Sequence, residues 1–173
     1  MVRLLDFLVS KIQSNNLTSN YLISKKTPMS QVEDFLSKEE EQHIVDAICV
    51  AEKNTSGEIR VHIEQTTVKV PFDRALEVFH DLKMNETQLK NGVLFYFAVA
   101  DKTFAICGDK GINDVVASDF WDCTKETMIT QFKLGNYKQG IVDGILNAGE
   151  QLKKYFPSFE GDTNELSNEI SKG

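Results

Sequence analysis

The run Val93 to Ala100, VLFYFAVA, restricts the fold of this chain more than any other stretch. It is continuously apolar, rich in β-branched and aromatic residues and short for a helix, so it describes a strand buried on both faces. Asn91-Gly92 opens it with a turn signal, and Asp101-Lys102 is a polar break before Thr103 to Cys107 resumes the pattern. The two strands read as a hairpin at the centre of the core. Gly108-Asp109-Lys110-Gly111-Ile112-Asn113-Asp114 follows at once, where two glycines let the backbone turn and three oxygen-bearing side chains stand at a strand exit.

Upstream, Ser37-Lys38-Glu39-Glu40 is a capping box, and Ile44, Ala47, Ile48 and Ala51 give the buried stripe of a helix. Glu58 to Gln65 alternates, with Ile59, Val61 and Ile63 on one face and Glu58, Arg60, His62 and Glu64 on the other, as in a half-exposed strand. Pro71 starts a second helix with the stripe Phe72, Ala75, Leu76 and Phe79. Strand, helix, strand in this order favours a parallel pair, to which the hairpin adds an antiparallel neighbour, so the sheet is expected to be mixed. Ser118 is expected to cap a third helix with Trp121, Met128, Ile129 and Phe132 inside, and Asn136 a fourth with Ile141, Ile145, Ala148, Leu152 and Tyr155. Gly140, Gly144 and Gly149 in that last helix predict close packing against the sheet.

A chain of 173 residues with 41% hydrophobic content suits one core. The expected organisation is a flexible N-terminal extension over 1–30, a compact domain over 31–157 and an acidic flexible tail over 158–173. Within the extension, Leu4, Leu5, Leu8 and Ile12 fit a short amphipathic helix, and residues 13–30 are patternless and polar. The net charge of −7 and a pI near 5.0 argue against nucleic acid, whose phosphates call for clustered Lys and Arg. Residues 1–29 hold Arg3, Lys11, Lys25 and Lys26 against Asp6 alone, so a basic arm and an acidic tail are available to a protein partner. Cys49, Cys107 and Cys123 stand singly with no CxxC spacing and read as buried thiols in a reducing compartment. No apolar run reaches the ~18 residues of a membrane span. The start carries Asp6 and no small-residue cleavage site, so the expectation is a cytoplasmic monomer.

The candidate site is a set of oxygen donors: Glu58 at the head of the first strand, Asp101 at the hairpin, Asp109, Asn113 and Asp114 in the loop, and Asp119 with Asp122 before the next helix. Hard cations such as Ca²⁺ and Mg²⁺ want several such oxygens converging from loops. The same acids also serve as turn formers and caps. An EF-hand pattern is absent, and Gly108-x-x-Gly111 is neither a P-loop nor a dinucleotide fingerprint, although its amides and Lys110 hint at an anion cradle. His62 with Glu64 is too small a set for zinc, and His43 and His80 fall on separate helices. No local signature of Ser-His or Cys-His catalysis is present.

Taken together, Thr55 to Val61 (TSGEIRV), Asn91 to Leu94 (NGVL) with Asp101-Lys102, Gly108 to Ile112 (GDKGI) and Phe120-Trp121 resemble the TPM domain family from about Ser37 to Pro157. The resemblance implies an α/β/α sandwich with a small mixed β-sheet flanked by helices. Members include a plant thylakoid-lumen protein linked to photosystem II repair and reported as an acid phosphatase, membrane-anchored bacterial forms and an animal receptor modulator, and some bind calcium. This chain departs from them in showing neither signal peptide nor membrane anchor, and in placing two residues, Asp109-Lys110, between glycines that many members separate by one. Three functions are therefore expected to compete: a domain binding a divalent cation, Ca or Mg, at loop carboxylates; a weak metal-dependent acid phosphatase; and a non-enzymatic adaptor that works through its tails.

Overall fold

The computed structural model describes residues 32–173. The helix expected over residues 2–12 and the linker expected over 13–30 lie outside the described residues. The central strand is β2 (Gly92–Ala98), buried at every position. On one side it pairs antiparallel with β3 (Thr103–Gly108), and on the other it pairs parallel with β1 (Glu58–Glu64), in the register Glu58↔Gly92 and Val93↔Gly108. The parallel pair follows from α2 (Pro71–Asp81), which carries the chain from the end of β1 back toward the start of β2. A two-residue strand β4 (Ser171–Lys172) completes the order β3-β2-β1-β4.

Alternation along the strands divides the core. Ile59, Val61, Ile63, Val93, Phe95 and Phe97 face α1 (Lys38–Glu52), α4 (Asp122–Lys133) and α5 (Tyr137–Leu152), which contribute Ile44, Ile48, Met128, Ile141 and Ile145. Leu94, Tyr96 and Ala98 face Ala75, Val78 and Phe79 of α2. The fold is an α/β/α sandwich around a mixed sheet, held mainly by apolar side chains worth about 1.5–3 kcal/mol each when fully buried. The capping box at Ser37 forms in full: its hydroxyl accepts the Glu40 amide at 3.2 Å and Glu40 accepts the Ser37 amide at 2.9 Å. Among the described residues no helix is long and apolar enough to cross a membrane.

Several local expectations are corrected. Ser118 caps nothing: the chain turns through residues 118–121, the Asp119 carbonyl accepts the Asp122 amide at 2.9 Å, and α4 starts only at Asp122. The α5 glycines serve helix-to-helix rather than helix-to-sheet packing. A Cβ on Gly144 would stand 2.6 Å from Met128 Cγ in α4, and one on Gly149 would stand 2.7 Å from Ala51 Cβ in α1. Cys107 is buried, but Cys49 and Cys123 are exposed, because they lie off the inner stripes of α1 and α4.

The largest correction concerns the C-terminal end. Residues expected to form a flexible tail lie against the domain, with Leu166 and Ile170 packed on its two hydrophobic clusters. In consequence the polar face of β1 is not half-exposed: Glu58, His62 and Glu64 are all buried. The apolar signal in DTNELSNEISKG is two residues four apart, too sparse to betray a docked segment.

Candidate functional site

The parallel register sets the heads of β1 and β2 beside the exit of β3, so the loops before and after these strands meet at one end of the sheet. Glu58, Asn91 and Asp109 stand there. Asp101 does not: the hairpin turn carries it to the opposite end, where its carboxylate accepts the Thr66 hydroxyl at 2.9 and 3.0 Å and the Thr67 amide at 2.7 Å. It ties the β2–β3 turn to the loop leaving β1.

Asp109 caps α3 (Lys110–Asn113), a single turn. Its own amide donates to the Gly92 carbonyl at 2.9 Å, and its Oδ1 accepts the Lys110 amide at 2.6 Å. Its Oδ2 is buried without a hydrogen-bond partner. Asn113 faces back into the same turn, its Nδ2 donating to the Gly108 carbonyl at 2.9 Å. Asp114 is ion-paired with Lys110 on the surface, and Asp119 is exposed in the turn before α4. The anion cradle expected from the glycine pair is not formed by Gly111, because its amide is spent on the Lys90 carbonyl at 2.8 Å.

Asn91 was not flagged by its sequence, where Asn-Gly reads only as a turn. It is fully buried at 0% exposure, and its Nδ2 donates to the Ser56 carbonyl at 2.8 Å, which fixes the orientation of the amide. The Oδ1 is left with no donor. Two buried oxygens without donors thus belong to residues adjoining Gly92, Asn91 along the chain and Asp109 through its amide bond to the Gly92 carbonyl. Close by, Trp121 is 1% exposed with an unpaired Nε1, and a Cβ on Gly108 would stand 3.6 Å from that nitrogen. Burying polar atoms unpaired costs stability, so such a concentration marks a place shaped for something besides packing.

Glu58 belongs to a different assembly. Both of its oxygens are occupied, one by the Glu165 amide at 3.0 Å and the other by the Leu166 amide at 3.2 Å. Its neighbour Glu52, at the end of α1, accepts the Ile59 amide at 2.8 Å and the Asn168 side chain at 2.8 Å. Burial pushes the Glu52 carboxyl up to about 7, assisted by the charge of Glu58, and burial likewise raises Glu58. A cleft of about 320 Å³ opens beside the pair, lined in part by Thr55, Ser56, Asp162 and Asn164.

A second buried network lies further along β1. Glu64 is gripped by Arg74 of α2 at 3.0 Å, accepts the Tyr96 hydroxyl, and lies 3.7 Å from His62 Nε2. Burial pushes the Glu64 carboxyl up, but Arg74 and Tyr96 together outweigh it and hold it below the usual range. His62 is kept below its ordinary value, chiefly by burial. The pairing of His62 and Glu64 is therefore structural chemistry, a charge held in place by its partners. Among the described residues, no three His, Cys, Asp or Glu side chains are grouped so as to hold a metal ion. A divalent ion at the strand ends would have to rely on one carboxylate, the Asn91 amide oxygen, backbone carbonyls and water.

The family model described as TPM domain matches residues 29–151. No curated protein matches the chain. Among solved structures, the chain is similar to the BA42 protein from the psychrophilic bacterium Bizionia argentinensis, with 63% identity, a TM-score of 0.79, and coverage of 84% of this chain and 100% of that one. It also resembles in fold alone the N-terminal domain of a protein from P. gingivalis (19% identity, TM-score 0.59, 70% of this chain and 79% of that one). A likeness of the same kind extends to the N-terminal domain of the cg2496 protein from Corynebacterium glutamicum (11% identity, TM-score 0.56, 90% and 95%).

Proposed function

The chain belongs to the TPM domain family, and from that premise we propose that it binds a divalent cation, Ca²⁺ or Mg²⁺, where the heads of β1 and β2 meet the exit of β3. The observation that carries this reading is the pair of buried, unpaired oxygens, Asp109 Oδ2 and Asn91 Oδ1, on two residues that adjoin Gly92. An oxygen with no donor keeps its lone pairs for a ligand, and hard cations take carboxylate, amide and backbone oxygens from flexible loops. The residues fit such an ion in kind. With a single carboxylate in the set, the affinity belongs at the weak end, Kd on the order of 10⁻⁴–10⁻³ M.

The ligand set is narrower than the sequence suggested. Asp109 and Asn91 are its centre, with Asn113 adjoining. Glu58 is committed to two amides, Asp114 to Lys110, and Asp101 to the far end of the sheet. Calorimetric titration with CaCl₂ and MgCl₂ tests the reading. Saturable heat is expected, with Asp109→Asn weakening binding at least tenfold, about 1.4 kcal/mol. Asp114→Asn and Asp162→Asn should change the affinity less than twofold. Absence of heat at millimolar ion would reject the proposal.

A further inference from the structure

The outer edge of β1 is covered by the last residues of the chain, and the manner of covering is informative. Glu58 takes the consecutive amides of Glu165 and Leu166, Arg60 donates from Nη2 to the Glu169 carbonyl at 3.3 Å, and the Ile63 carbonyl accepts the Gly173 amide at 3.1 Å. The domain thus holds the segment in part by its backbone, as an added strand is held. The ladder itself is brief, His62↔Ser171 and Ile63↔Lys172. Side chains add to it: the Glu165 carboxylate accepts the Gln88 amide at 3.0 Å, and two apolar residues anchor the segment. Leu166 packs on the α2 side of the sheet and Ile170 on the α1 and α5 side, so the segment crosses the edge between two apolar contacts four residues apart. Asn168 reaches Glu52, Ser171 Oγ lies 3.0 Å from His62 Nδ1, and Lys172 pairs with Glu33 and Glu41 at 2.9 and 2.8 Å.

The cover is also imperfect. Arg60 Nε is buried under it with no hydrogen-bond partner, and His62 Nε2, on a residue 5% exposed, has only the Glu64 carboxylate at 3.7 Å, beyond hydrogen-bond reach. A surface sealed for good is normally apolar or fully paired, because each buried polar atom left alone costs stability. Here the face is polar and partly unpaired, which suits a surface that is wet at some times and covered at others.

We propose that the β1 edge is a peptide-binding groove, occupied in cis by residues 162–173, and that the partner it fits is an extended segment of another protein with two apolar residues four positions apart. The resident segment excludes that partner until it is displaced. This groove is separate from the proposed cation site, and neither depends on the other.

The test keeps the whole chain. A protease recognition sequence is introduced between Glu160 and Gly161, both exposed, and the folded protein is cut there. The probe is a fluorescein-labelled synthetic peptide, DTNELSNEISKG, read by anisotropy. The expected result is that it exchanges into the cut protein. A peptide with both Leu166 and Ile170 replaced by Ala should bind at least tenfold more weakly, and one with the intervening polar residues shuffled should bind within about threefold. Three outcomes would overturn the proposal: loss of the fold on cutting, a severed segment that never exchanges with millimolar probe, or a shuffled peptide that fails as fully as the alanine one.

Discussion

Glu52 and Glu58 bring two carboxylates close together under the C-terminal segment, each satisfied by amides rather than by a cation. The folded state holds the Glu52 proton up to about pH 7, whereas an unfolded chain releases it near 4.5. Stability therefore falls as pH rises through that window, by on the order of 2 kcal/mol once partial contact with water is allowed for. Glu52→Gln should match the parent at pH 4.5 and become the more stable of the two above pH 7. Urea denaturation at both values checks this, and parallel profiles would remove Glu52 from the account. Glu64 has the opposite sign. Its charge is favoured in the fold by Arg74 and Tyr96, so its contribution is present at neutral pH and lost as acid protonates it. Arg74→Met should cost about 3 kcal/mol by leaving the Glu64 carboxylate buried with only Tyr96 and His62 beside it, and adding Glu64→Leu should restore much of it, because a well-packed apolar pair replaces a buried ion pair at little loss. Additive destabilisation in thermal melts of the three variants would contradict that coupling.

At the level of elements, Gly144 sets a test of sign. In an exposed helix Gly→Ala stabilises by about 1 kcal/mol, but here the new methyl would meet Met128 at 2.6 Å. Gly144→Ala is therefore expected to destabilise by about 1–3 kcal/mol, and Met128→Ala in the same chain to relieve part of the loss. A rise in melting temperature for the single variant would show that α4 and α5 do not pack as described. The elements were legible in the sequence because their signals are local: the unbroken run of β2, the capping box of α1, and Pro71 at the head of α2. What a glycine packs against is not local, so the three glycines of α5 carry no sign of whether a helix or the sheet lies against them. The same limit hid the fate of β1. Its alternation is plain in the sequence, but polar residues look alike whether water or a later stretch of chain covers them, and the segment that covers Glu58 lies more than a hundred residues downstream.

For the molecule as a whole, topology decides which acids can cooperate. Antiparallel return through the hairpin sends Asp101 to one end of the sheet and Asp109 to the other, a separation that spacing along the chain does not reveal. Buried Asn91 enters the set only because a parallel β1–β2 pair draws the Ser56 carbonyl against its amide and leaves its oxygen unpaired. The ion, on this account, belongs to the meeting of three strand ends and not to a run of acidic residues. The most direct measurement is a map of backbone amide shifts during Ca²⁺ titration of the intact chain. The predicted result is a saturable set centred on Asn91, Gly92 and Gly108 to Asn113, absent in Asp109→Asn and weak at Asp101. Shifts gathered instead on Glu160, Asp162, Glu165 and Glu169, growing without saturation, would mean a loose counterion on the C-terminal acids and would contradict the central claim.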